Sequence, residues 1–237
     1  MAEKPAYHAL FLSSVAETLD EVTAIANEHF PDPTVIYWEM GNAATKPAVF
    51  EEIEATPYNL IVSYINGIIL KRRHLDRALF GAVNIHPAPP EHGGAFGIWC
   101  QPVIRRDVRT HHGVTAHEMD EDIDHGPLYE VKRWEVGEDA TIQSVADRTS
   151  DECLALCARM AEKLARSSDG SRSFPTLDDT WHPTNRHHTA ADVRQWFEAL
   201  DPAHPAHRER VPFNHPRAIV SPPYFDDLTP GAPAASH

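Results

Sequence analysis

The sequence predicts an α/β chain: a doubly wound, mostly parallel sheet followed by a short proline-rich C-terminal extension. Three observations carry this. Through the first 130 residues short apolar runs alternate with helix-like or polar stretches, the rhythm of strands joined by crossovers. The run Leu60 to Tyr64 is apolar on nearly every residue, as a strand covered on both faces must be. Residues 201–237 carry eight prolines, which suits an extended tail and not a second large core.

Taken in order, Ala9 to Leu12 is the first strand, and Ser13-Ser14 is a good N-cap pair for a helix. From Val15 to Phe30 the apolar residues Val15, Leu19, Val22, Ile25 and Ala26 keep a 3.6-residue period, which predicts an amphipathic helix. Val35 to Trp38 is the second strand and Leu60 to Tyr64 the third. Val83 to His86 is the fourth, stopped by Pro87, Pro89 and Pro90. Gly113 to His117 and Leu128 to Trp134 are two more, joined by an acidic loop from Glu118 to Gly126. Ile142 to Leu164 aligns Val145, Cys153, Leu156, Cys157, Met160 and Leu164 on one face of a long helix. A polar linker at Ser167 to Ser173 and a short helix at Ala191 to Leu200 complete the elements. The expected organisation is a main domain over residues 1–170 and an extension over 171–237, laid on that domain and frayed over its last ten residues.

Composition narrows the function. The chain has 237 residues, of which 42% are hydrophobic and 24% charged, a globular balance. Lys+Arg of 21 against Asp+Glu of 35 leaves −14 with histidine neutral. Such a field repels nucleic acid and anionic membranes, and the basic cluster Lys71-Arg72-Arg73 is short. The cysteines Cys100, Cys153 and Cys157 form no C-x-x-C pair, and no leader-like segment opens the chain. Both features predict a reducing, cytoplasmic setting. There is no G-x-G-x-x-G after the first strand and no P-loop. Sixteen histidines lack paired metal-ligand spacings, so no metal is expected.

The stretch richest in chemistry begins at Asn84-Ile85-His86-Pro87 and runs to Gly93-Gly94. About thirty residues on comes Asp120-Glu121-Asp122-Ile123-Asp124-His125-Gly126-Pro127. In an open α/β sheet the site lies beyond the carboxyl ends of the strands. Asn84 and His86 alternate at such an end and project to one side, and the prolines turn the chain away from them. An amide N–H suits a developing oxyanion, an imidazole moves protons, and a carboxylate orients and charges the imidazole. The plain alternatives are a strand-end cap for Asn84, a packed ring for His86 and a turn former for Asp124. Thr115 and His117 share the strand that leads into the acidic loop; each either lines the site behind these groups or is structural.

The segment N-I-H-P…G followed by G-V-T-x-H-x-M-D-x-x-I-D-x-G-P resembles the formyltransferases that use N10-formyltetrahydrofolate, with a Rossmann-like fold. The likeness runs from about Tyr58 to Trp134. It implies Asn84, His86 and Asp124 as catalytic residues. It also implies a pterin pocket made by the backbone of Gly67, Ile68, Ile69 and Leu70 with that of Asp120, Glu121 and Asp122. The implied co-substrate is N10-formyltetrahydrofolate, and the implied chemistry is attack of an amine on its formyl carbon. Asn84 and a protonated His86 would then stabilise the oxyanion.

The family's tRNA-directed members carry a basic C-terminal domain that has no counterpart in these residues. That and the acidic charge favour a small-molecule amine as acceptor, an amino-sugar nucleotide or an amino-acid-like intermediate, in a monomer or a homodimer. Two rivals remain: a formyltetrahydrofolate hydrolase, with water as acceptor, and a non-catalytic folate- or nucleotide-sugar-binding module.

Overall fold

The computed structural model describes residues 6–40, 42–92, 97–106, 110–179, 181, 188, 190–208, 211–212 and 219–220. Gly93, Gly94 and the last ten residues lie outside this set.

Six strands form one sheet: β1 (Ala9–Ser13), β2 (Thr34–Tyr37), β3 (Leu60–Tyr64), β4 (Ala82–His86), β5 (His111–Glu118) and β6 (Leu128–Glu135). Their order is β2-β1-β3-β4-β5-β6. The first four run parallel, whereas β5 is antiparallel to β4 and β6 to β5. The helices are α1 (Leu19–His29), α2 (Lys46–Ala55), α3 (Arg72–Leu75), α4 (Gln101–Ile104), α5 (Ile142–Arg166) and α6 (Ala190–Ala199). Among the described residues no helix is long and apolar enough to cross a membrane.

Alternation along each strand sends side chains to two cores. Phe11, Val62, Tyr64, Val83, Ile85, Val114 and Ala116 face α1 and α5, where Val22, Ala26, Cys153, Leu156, Cys157 and Met160 are buried. Leu10, Leu12, Ile36 and Ile61 face the other way and pack with Val49 and Ile53 of α2. The sheet is therefore doubly wound, as expected. The predicted face of the long helix is buried in full, and Thr141 opens it with a reciprocal capping box to Ser144.

Two local expectations change. The first helix does not start at a serine cap: Val15 leads into a 3-10 turn at Ala16–Thr18, and α1 begins at Leu19 without a side-chain cap bond. Ser13 instead accepts from its near neighbour Val15 N (3.1 Å), and Ser14 is drawn to Asn66 (3.0 Å) on the loop after β3. For Ser14 a long-range partner outbids the local cap. The second change is α2, which has no strong sequence period because only Val49 and Ile53 are buried in it.

The extension is stapled to the sheet. The Glu118 carboxylate accepts from Ala82 N (3.1 Å), from Ser171 Oγ (2.8 Å) and from the Tyr129 hydroxyl, tying the end of β5 to the first residues of the extension. Farther along, Val193 and Phe197 of α6 are buried in the same core as α1 and α5.

Candidate functional site

The α2-side core covers β2, β1, β3 and the beginning of β4, ending at Ala82. Beyond it the same face of the sheet turns polar. Asn84 lies opposite His117, and His86 opposite Thr115, in the β4–β5 ladder. Directly opposed residues share a face, so two dipeptide-spaced pairs place four polar side chains together. The structure thus brings Asn84, His86, Thr115 and His117 to one patch. The loop after β5 adds Asp124, whose carboxylate is almost fully buried.

The hydrogen bonds define roles. His117 Nδ1 lies 2.8 Å from the Glu118 carbonyl, which only accepts, so Nδ1 carries the hydrogen. Its Nε2 is then an acceptor and takes the amide N–H of Asn84 at 3.0 Å. This fixes which end of the Asn84 amide faces His117 and directs the second N–H elsewhere. His86 Nδ1 faces Asp124 Oδ1 at 3.4 Å, and the same oxygen lies 3.7 Å from His117 Nε2. The expected imidazole–carboxylate pairing is present. His86 differs from expectation in one respect: its Nε2–H donates to the His92 carbonyl at 2.8 Å, because the proline-turned loop folds back over the ring. Thr115 holds that loop through a 2.7 Å bond to the Ala88 carbonyl.

Backbone strain marks both edges of the patch. Asp124 has φ +50° and Ile65, just after β3, has φ +41°. Aspartate tolerates this region moderately and isoleucine poorly, so surrounding contacts must impose both conformations. The Asp124 conformation aims its short side chain inward at the two histidines.

The two loops expected to hold a pterin flank the patch. Gly67 N donates to Ser14 Oγ (3.2 Å), beside the end of β1, where the strand order reverses. A Cβ at Gly67 would lie 2.9 Å from Met40 and 3.0 Å from Trp38, so any larger residue there would have to push the Met40 and Trp38 side chains aside. Ile68 and Leu70 are buried in the α2-side core, and Ile69 is 52% exposed. On the other loop, Asp122 N donates to Asp120 Oδ1 (2.9 Å), and Glu121 pairs with Arg72 of α3 at 3.8 Å. The Asp120 carboxylate and His125 are ion-paired at 2.7 Å, which raises the His125 pKa. Asp120, Asp122 and His125 bring their donor atoms within 4.8 Å of one another, the one such group of metal-ligand type among the described residues. All three stand at the surface of the loop, and the Asx turn and the ion pair account for their arrangement.

One neighbour was not among the expected site residues. Trp181 sets its ring edge-on to His117 (4.9 Å) and to His86 (5.7 Å), and it donates from Nε1 to the Gly126 carbonyl (2.9 Å). A lone tryptophan in a polar stretch carries no periodic signal that would place it there. Trp38 is buried in the α2-side core.

Burial holds the His117 pKa down to about 4, against the opposing charge of Asp124. The unfolded chain protonates this ring near pH 6.5 and the folded one only near 4, so the unfolded state binds more protons between those values. The stability contributed is complete above pH 6.5 and is lost as pH falls toward 4, with a slope of about 1 kcal/mol per pH unit. Urea unfolding of wild type and His117→Asn at pH 7 and 4.5 checks this: the variant should lose less stability on acidification.

The chain has relatives at the level of family, sequence and fold. A family model described as formyl transferase matches residues 13–159. A methionyl-tRNA formyltransferase from Citrifermentans bemidjiense is 34% identical over 122 residues, 51% of this chain and 37% of that protein. The chain therefore spans little more than a third of the length of the curated relatives it matches. Among solved structures, a sugar N-formyltransferase from a Shewanella species superposes with TM-score 0.61 at 18% identity, covering 84% of this chain and 83% of that one. A formyltransferase from Anoxybacillus kamchatkensis, solved with UDP-4,6-dideoxy-4-formamido-L-AltNAc and tetrahydrofolate, superposes with TM-score 0.58 at 17% identity, covering 84% and 94%. These likenesses confirm the fold expected from the sequence. With the family model covering more than half of its residues, the chain belongs to the formyl transferase family.

Proposed function

We propose that this chain moves the formyl group of N10-formyltetrahydrofolate onto the primary amine of a small molecule, an amino-sugar nucleotide or an amino-acid-like intermediate. Asn84, His86 and Asp124 act as its catalytic residues. The observation that carries the reading is their convergence at the open end of β4, with His86 Nδ1 3.4 Å from Asp124, in a chain of this family.

The chemistry follows from the donors. A neutral amine attacks the formyl carbon and the carbonyl oxygen becomes an oxyanion. The Asn84 N–H not given to His117 donates to it, an interaction worth ~10²–10³ in rate. As the C–N10 bond breaks, the proton lost by the amine passes through His86 to N10. His86 Nε2–H must exchange its bond to the His92 carbonyl for one to the reacting atoms, so substrate entry shifts that loop. The Asp124 carboxylate holds the ring and balances its positive charge during transfer. His117 fixes the Asn84 amide, and Thr115 anchors the loop above. Gly67, Ile68, Ile69 and Leu70 with Asp120, Glu121 and Asp122 offer main-chain groups to the pterin.

The net charge of −14 and the fold's likeness to sugar-directed enzymes support a small acceptor over tRNA. Incubation with formyl-folate and a panel of nucleotide-linked amino sugars, amino acids and methionyl-tRNA tests this by release of tetrahydrofolate. Release with one small-amine class is the expected result. Release with methionyl-tRNA alone overturns the acceptor, release without any amine identifies a hydrolase, and no release leaves a binding module.

A further inference from the structure

We propose that Trp181 is a positioning residue of this site: its indole seals the His86–His117–Asp124 cluster from water, so that the formyl group goes to the amine and not to a water molecule. The inference rests on the transfer reading above and extends it to a residue of the C-terminal extension.

Trp181 touches every element that builds the cluster. Its ring stands at 86° to His117 of β5 and at 72° to His86 of β4, and its Nε1–H is anchored to the Gly126 carbonyl, two residues beyond Asp124. A Cβ at Gly126 would lie 2.0 Å from the Glu118 carbonyl oxygen, so the loop passes directly against the end of β5 at this anchor. Trp181 is itself only half-buried, so its ring meets the histidines and still borders solvent. It is a wall and not part of a core.

The extension braces this face at a second point. His188 stacks on His92 (5.1 Å, 26°), whose carbonyl receives the His86 Nε2–H, and it also meets Trp196 of α6 (4.7 Å). Helix α6 is held by Val193 and Phe197 in the main core. Trp181 and His188 thus meet the residues around the catalytic histidine at two separate points.

The reaction that such a wall suppresses needs nothing but water. Water attacks the formyl carbon, a C–O bond forms, the C–N10 bond breaks, and N10 takes a proton. The products are formate and tetrahydrofolate. Excluding bulk water from a site is a direct way to prevent this loss of an activated group.

Trp181→Ala and Trp181→Phe in the full chain test the proposal with two readouts. With saturating formyl-folate and the accepted amine, the ratio of formate to formylated product should rise about tenfold or more in Trp181→Ala, and Trp181→Phe should restore most of it. The second readout needs no substrate. By NMR the His117 ring, faced by Asp124 and Asp120 from its loop and by His86 from β4, should titrate near 4 in wild type and closer to 6.5 in Trp181→Ala. An unchanged His117 titration overturns the proposal regardless of activity, and a moved titration with an unchanged product ratio overturns its partitioning role. Absence of any formyl chemistry in the unaltered protein is a different failure, that of the transfer reading itself.

Discussion

Turnover should fall by about 10²–10⁴-fold when His86 is replaced by alanine, while the folate still binds, because in the proposed reaction the ring moves protons and the pterin is held by other loops. His86 is 4% exposed and held by Asp124 at 3.4 Å and by the His92 carbonyl at 2.8 Å, so the change removes a ring that a carboxylate and a carbonyl hold in place at the end of β4. Asp124→Asn is the sharper companion. Asparagine tolerates the φ of +50° found at this position, so the loop keeps its course and only the charge is lost. Its effect should be of the same order as that of His86→Ala. The double variant should fall little further, since the two groups act as a unit. Steady-state release of tetrahydrofolate together with folate titration separates turnover from binding. Near-normal rates for both single variants would remove these residues from the mechanism.

Phe11→Ala should destabilise the fold by about 3–5 kcal/mol. Phe11 sits in the middle of β1, between Val35 on β2 and Val62 on β3 in register, and its ring meets Phe30 at 5.8 Å. It is fully buried, and its own strand is paired on both sides, so the backbone cannot move in to fill the space left by the ring. Urea unfolding should show a lower midpoint with an unchanged slope. Leu79→Ala, at a position 60% exposed, is the control and should stay within about 0.5 kcal/mol of wild type. Equal losses at both positions would mean that β1 is not the centre of the core.

Local patterns made much of the architecture legible. The six strands stand where short apolar runs predict them, and α5 buries every residue of its predicted face, because both periods are properties of a few successive residues. Asn84 and His86 could be read as a pair for the same reason: alternate residues of a strand share a side. Helix α2 escaped because two buried residues make no period, and Ser13 and Ser14 misled because their partners, unlike a cap, include a loop more than fifty residues away.

What the sequence determined by itself was the set of candidate groups and the sheet end on which two of them stand, since these depend on residue type and short spacing. Only the tertiary structure decided how those groups are connected. The His117 tautomer that aligns Asn84, the His92 carbonyl that holds His86 and the arrival of Trp181 from the extension all join residues distant in the chain or bonds of the backbone. Such contacts are selected by the packing of the whole molecule, where the geometry of one element settles which atoms of another come within hydrogen-bonding reach.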